Sequence, residues 1–177
     1  MIIRFALLFS CLVGVLSATT IVPVTVEHLT RESTHVVEAT ALDSWSDWNS
    51  QHTLIFTYTR FQVSRSLKGE APQTIIVTQP GGSAGHYTQK VAGVRHWKAG
   101  ETAVLFLRPS DTADGTFQVT GLMQGNFLMN ASPSGHVTVS NGVPEVSSYE
   151  AGTLTTYRGA VMTLDQLESR VRKAVHQ

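Results

Sequence analysis

The residues from Thr53 to Gly82 limit the possible folds more than any other stretch of this chain. They read TLIFTYTRFQVSRSLKGEAPQTIIVTQPGG. A long run of apolar and β-branched residues extends from Thr53 to Leu67. A connection from Lys68 to Gln73 is broken by Gly69 and Pro72, and a second β-rich run from Thr74 to Gln79 stops at Pro80-Gly81-Gly82. Runs of this composition bounded by glycine and proline predict two strands joined by a turn. In the long strand Leu54, Phe56 and Tyr58 take even positions, whereas Phe61, Val63 and Leu67 take odd ones. The apolar phase slips by one near Thr59-Arg60. A slip flips every side chain to the other face, so a bulge or sharp bend is predicted there, in a strand that begins in one sheet and ends in another.

The flanking segments extend the β pattern. Thr25 to Ser33 predicts a short helix with Thr25 as N-cap and Glu27 in its first turn. His35 to Leu42 predicts a strand with Val37, Ala39 and Ala41 on one face, and Ser44 to His52 predicts a polar loop. The excursion from Gly81 to Gly100 is irregular, with a short strand expected at Lys90–Gly93. Ala103 to Leu107 is a continuous apolar run of strand length, which predicts burial on both faces. Shorter strands are expected at 116–120, 125–130 and 136–140. The period changes at the end of the chain. Thr163-Leu164-Asp165-Gln166 is a capping box, and Leu164, Leu167, Val171 and Val175 make one apolar stripe, so a helix is expected over 163–176. The fold class expected from this order is mainly β: a small, partly open antiparallel barrel, like that of oligosaccharide- and oligonucleotide-binding (OB) domains, with a short N-terminal helix and a C-terminal amphipathic helix.

Compartment follows from the N-terminus. Arg4 is followed by a nearly unbroken apolar run from Phe5 to Leu16 and by small Ser17-Ala18. This is the order of a secretory signal peptide, expected over 1–18, with a single domain over 19–177 and a secreted or periplasmic location. The apolar run is about a dozen residues, short of the ~20 that span a bilayer as a helix, so no membrane span is expected after cleavage. Cys11 is the only cysteine and leaves with the signal; the mature chain then offers no disulfide, thiol nucleophile or thiolate ligand. Losing Arg4 removes one of 13 basic side chains, against 13 acidic ones. A nearly neutral chain without a basic stripe is not built for nucleic acid or for an anionic membrane surface.

Three sets of residues bear on chemistry. Gly81-Gly82-Ser83-Ala84-Gly85 matches Gly-x-Ser-x-Gly with His86 adjacent, the pattern of a nucleophile elbow. An elbow opens a helix, however, and no apolar helical stripe follows Ser83, so a glycine-rich turn is the expected structure. His52, His86, His96 and His136 lack the two- or four-residue spacing that sets two ligands on one strand or helix face, so no metal and no other cofactor is expected. Trp45 and Trp48, beside Asp43 and Asp47, are candidate ligand-binding residues, since aromatic rings among polar groups stack on sugars or hold protein partners. Folding back over the barrel mouth is the alternative. Trp97 is a third candidate, with core packing as its alternative.

The long strand and its sequel carry a resemblance. Phe61-Gln62-Val63, Leu67-Lys68-Gly69, Ile75-Ile76-Val77 and Pro80-Gly81-Gly82 lead to Val91-Ala92-Gly93 and Gly100-Glu101. Val104-Leu105-Phe106-Leu107, Val119-Thr120-Gly121-Leu122 and Gln124-Gly125-Asn126-Phe127 follow. The whole resembles a family of small exported bacterial proteins of unassigned function. More distantly it is similar to the netrin-like module, which includes the tissue inhibitors of metalloproteinases and implies an OB-type barrel. Those inhibitors act through an N-terminal cysteine, which this mature chain lacks, so only the fold is implied. The function expected is a non-enzymatic binding or structural domain whose partner is an envelope or extracellular protein or a glycan. A serine hydrolase using Ser83 and a carbohydrate-binding module using Trp45 and Trp48 are the alternatives.

Overall fold

A computed structural model describes residues 23–113, 115–143, 146–150 and 153–176; the expected signal peptide lies outside them. Helix α1 (Val26–Glu32) is followed by β1 (His35–Trp48), β2 (Ile55–Lys68) and β3 (Thr74–Pro80). A small hairpin of β4 (Gly82–Ala84) and β5 (Tyr87–Gln89) comes next. Then come β6 (Thr102–Pro109), β7 (Phe117–Val119), a 3-10 turn at Leu122–Gly125, β8 (Asn126–Ala131) and β9 (Val137–Ser140). The chain ends with the β10 (Val146–Glu150) and β11 (Thr153–Tyr157) hairpin, β12 (Val161–Thr163) and helix α2 (Leu164–Val175).

The protein is mainly β. Its large sheet runs β1-β2-β3-β7-β6-β8-β9-β12, and β1 also pairs with β6. Five strands therefore close a ring in the order β1-β2-β3-β7-β6. Four of its five contacts are antiparallel, as the sequence predicts; β3 meets β7 in parallel through Val77 and Phe117.

The ring explains the apolar run at 103–107. Ala103, Leu105 and Leu107 point inside, with Val37, Phe61 and Val77. Val104 and Phe106 point outside, where Leu29 of α1 and Leu167 and Val171 of α2 cover them. The same strand thus serves two cores, one within the ring and one beneath the helices. Phe61 is fully buried and meets Trp97 edge to face at 4.9 Å. Burying a side chain of this size contributes about 1.5–3 kcal/mol.

Both helices start where local chemistry dictates. Thr25 Oγ1 accepts from His28 N at 3.2 Å, and Thr163 and Gln166 form the reciprocal capping box. On α2 the buried face is Leu167, Val171 and Ala174, while Val175 is 41% exposed. The expected stripe keeps the helical phase, and Val175 falls at its edge as the last residue of α2. Lys68, at the end of β2, donates to the Thr30 and Ser33 carbonyls at 2.6 Å each and closes the C-terminus of α1. Arg170 grips both carboxylate oxygens of Glu27 at 2.7 Å and ties α2 to α1.

Three expectations need correction. The loop expected at 44–52 is mostly strand, because β1 runs on to Trp48 and only the turn after it is irregular. Near Thr59-Arg60 the inner face of β2 does not slip: Ile55, Thr57, Thr59 and Phe61 are all buried at odd positions. Two of these are threonines, so the inner face looks polar in sequence, whereas Leu54, part of the apolar even phase, is 43% exposed. The irregularities lie elsewhere: two register shifts leave Ser64 and Leu67 as extra residues on β2, and a third falls on β1. Ala41 pairs with Phe61 and Asp43 with Arg60, leaving Leu42 as the extra residue of a bulge on β1. Finally, residues 90–93 form no strand; the strand residues of this excursion are the β4–β5 hairpin.

Candidate functional site

The distal half of the β1–β2 hairpin, beyond the ring, is where sequence candidates gather. Up to Thr40, β1 pairs with β2 on one side and β6 on the other. Contacts from the 98–101 turn to Ala41 end the second side: Ala41 N donates to Glu101 O, and Gly100 N to Ala41 O. Beyond that point only β2 pairs with β1. Burial changes with the pairing, from buried Ala41 to exposed Leu42, Asp43, Ser44 and Trp45.

Strand alternation gives this segment two faces. On the outer face Asp43, Trp45 and Asp47 stand opposite Arg60, Tyr58 and Phe56. Asp43 and Arg60 form an exposed ion pair at 3.0 Å. Trp45 and Tyr58 stack with centroids 5.5 Å apart and planes within 12°, and Trp45 remains 42% exposed. The inner face carries Ser44, Ser46 and Trp48. Two hydroxyl pairs fasten it: Ser44 to Thr59 at 2.8 Å and Ser46 to Thr57 at 2.9 Å. Thr57 also donates to the Gly81 carbonyl at 2.7 Å. The chain then crosses so close above this pair that a Cβ on Gly82 would run into the Ser46 and Thr57 hydroxyls, and its φ of 131° itself favours glycine. That crossing lays the β4–β5 hairpin against the inner face, where Tyr87 meets Trp48 edge-on at 5.5 Å and His52 stacks on Trp48 at 6.1 Å.

The structure therefore separates the two tryptophans that the sequence puts together. Three residues apart on a strand, they lie on opposite faces and share no platform. Trp97 is not a surface residue; it is 4% exposed and donates from Nε1 to Asn126 Oδ1 at 3.1 Å inside the protein. It was a ligand-binding candidate, and the packing of the ring explains it instead. Tyr58, Arg60 and Tyr87 join the site without a sequence signal of their own, since only the cross-strand register brings them to Trp45 and Trp48.

Ser83 lies on β4 and its Oγ pairs with Thr88 Oγ1 at 2.9 Å. The segment is strand–turn–strand, with Gly85-His86 at the turn, so Ser83 does not open a helix as an elbow nucleophile does. It borders a shallow groove of about 360 Å³ with Gln89, Lys90 and His96. His96 Nε2 faces the Pro80 carbonyl at 3.3 Å, and His52, His86 and His136 sit in separate turns. Among the described residues no three His, Cys, Asp or Glu side chains converge on a metal-sized site, and no helix is long and apolar enough to cross a membrane.

Shifted titrations fall far from the hairpin. The Arg170 guanidinium holds the Glu27 carboxyl down to about 2, and Glu27 in turn raises Arg170. Hydrogen bonds to Glu38 and then Glu168 raise Arg65. These pairs join helices to the sheet and to each other, so they belong to the framework. No protein-family model and no curated protein matches this chain.

Proposed function

We propose that the protein is a non-enzymatic binding domain of the secreted or periplasmic space, with the distal β1–β2 hairpin as its binding element. One observation carries this reading. At Leu42 the strand β1 leaves the buried ring yet stays regular to Trp48, holding the Trp45–Tyr58 stack in solvent. Ring stability does not require that stack, whereas rigid, exposed aromatics beside charges suit recognition. The pairing of Ser83 with Thr88, and its strand–turn–strand setting, weigh against the hydrolase alternative. The opposed faces of Trp45 and Trp48 weigh against a two-ring sugar platform. Export rests on the charge, apolar and small-residue order of Met1–Ala18. Membership of the small exported bacterial family is part of the same proposal. The residues that suggest it are framework residues, such as Lys68 capping α1 and Phe127 beneath the helices, so it bears on fold rather than on ligand.

A photo-crosslinking residue in place of Leu54, at the hairpin turn, should give a discrete adduct in cells, and one in place of Lys173 on α2 should give none. Equal adducts at both positions, or none at either, would remove the hairpin as the binding element. Stoichiometric labelling by a fluorophosphonate, lost in Ser83→Ala, would replace this reading with the hydrolase. Glycan-array binding lost in Trp45→Ala would replace it with a carbohydrate-binding module.

A further inference from the structure

The open side of β1 is a row of backbone groups with a defined direction. Asn49 N donates to Leu54 O at 2.8 Å. In an antiparallel ladder, bonded and non-bonded pairs alternate. Asp47, Trp45 and Asp43 therefore bond to β2, while Ser44, Ser46 and Trp48 aim their N–H and C=O groups away from it. Ile55, opposite Trp48, agrees: its N–H goes to Gln89 Oε1 and its carbonyl to Gly81 N. The Trp48 N–H is capped by Asp47 Oδ1 at 2.7 Å. Among the described residues no other segment takes the outward groups of Ser44 and Ser46.

Sheet edges are usually kept short, bulged, covered, or blocked by lysine or proline. In this sheet the other terminal strand, β12, has three residues. From Asp43 to Trp48, β1 has no lysine, proline or register shift. What it has is a carboxylate at each end of an aromatic: Asp43 and Asp47 flank Trp45 on the outer face. Among the described residues, Asp43 has a cation, Arg60, and Asp47 has none. In an antiparallel pairing of two copies centred on Trp45, Asp43 would face the second copy's Asp47, and like charges directly opposite are destabilising.

We infer that the β1 edge from Leu42 to Trp48 is a strand-addition site for an extended segment of a partner protein with the pattern basic–x–apolar–x–basic. This rests on the hairpin being the binding element and names its ligand class. The outward groups of Ser44 and Ser46 supply the ladder bonds. The partner residues facing Asp43, Trp45 and Asp47 fall in non-hydrogen-bonded pairs, where side chains approach most closely. Two cations there meet the carboxylates, and the residue between them packs on the exposed edge of Trp45.

The test is amide hydrogen exchange on the full mature chain with two peptides, Thr-Lys-Thr-Tyr-Thr-Lys-Thr and its counterpart with glutamate for lysine. Saturating lysine peptide should slow exchange at Ser44 and Ser46 at least tenfold and leave Asn49 unchanged. The glutamate peptide should slow neither. Asp47→Lys, checked by an unchanged denaturation midpoint, should weaken the lysine peptide at least tenfold. The inference is overturned if the lysine peptide does not bind at millimolar concentration, binds without slowing these amides, or binds no better than the glutamate peptide. Slowing that follows protein concentration alone would assign the edge to a second copy instead. A discrete Leu54 adduct alongside any of these failures would leave the hairpin as the binding element and remove only strand addition.

Discussion

The two halves of β1 belong to one continuous strand and have opposite employment. From His35 to Ala41 the strand is flanked by β2 and β6, and Val36, Val37, Ala39 and Ala41 are buried. From Leu42 to Trp48 it has one neighbour, and its side chains are mostly in water. The first half is constrained by packing on both faces, inside the ring and beneath the helices. The second is held by its partner strand, by two hydroxyl pairs and by the β4–β5 hairpin on its inner face, none of which covers Trp45, Asp43 or Asp47. Burial and exposure are thus divided along the strand.

Substitutions can break or sharpen this division. The largest effect is expected in the ring: Phe61→Ala should lower unfolding free energy by about 3–5 kcal/mol in a urea titration, because the neighbours refill such a cavity only in part. A loss below about 1 kcal/mol would mean that the ring is not the stability centre. Next is the crossing between the two regions. Gly82→Val forces a branched side chain into the Ser46–Thr57 pair at a left-handed φ and should cost about 2–4 kcal/mol. It should also raise Trp48 fluorescence quenching by solvent as the β4–β5 hairpin lifts.

The Glu27–Arg170 pair comes third. Its side chains are 33% and 39% exposed, so solvent screening limits Arg170→Ala to about 1 kcal/mol at neutral pH. The pH dependence has a definite sign. The folded Glu27 carboxyl is held at about 2 against an unfolded value of 4.5, so its contribution is complete above pH 4.5 and fades as pH falls toward 2. Urea midpoints of wild type and Arg170→Ala should converge across that window, and a constant gap would show that the loss is one of packing. The smallest effect is expected at the tip: Trp45→Ala should change stability by no more than about 1 kcal/mol, the scale of one cross-strand aromatic pair. A loss rivalling that of Phe61→Ala would erase the contrast between the halves.

Much of this architecture was legible in the residues. The capping box at Thr163, the Thr25 N-cap and the 103–107 run mark elements whose causes are local, and the structure places them as expected. What misled was polarity. Ser44, Ser46, Thr57 and Thr59 satisfy one another across the ladder, so an inward face reads as a loop on one strand and as a phase slip on the other. A hydroxyl pair has no hydropathy signature until its register is known. The candidate site on the β1–β2 hairpin was half legible for the same reason. Trp45 stood out by type, but Tyr58 and Arg60 become its neighbours only through the turn at Asn49, whose side chain accepts from the Thr53 and Leu54 amides.

The clasp between Glu27 and Arg170 spans 143 positions of sequence. A chain made from its N-terminus therefore presents α1 long before the arginine that grips it. Lys68, which closes the end of α1, is an intermediate foothold. The cluster that α1 shares with β6 and α2 is therefore completed only by residues from both ends of the described chain.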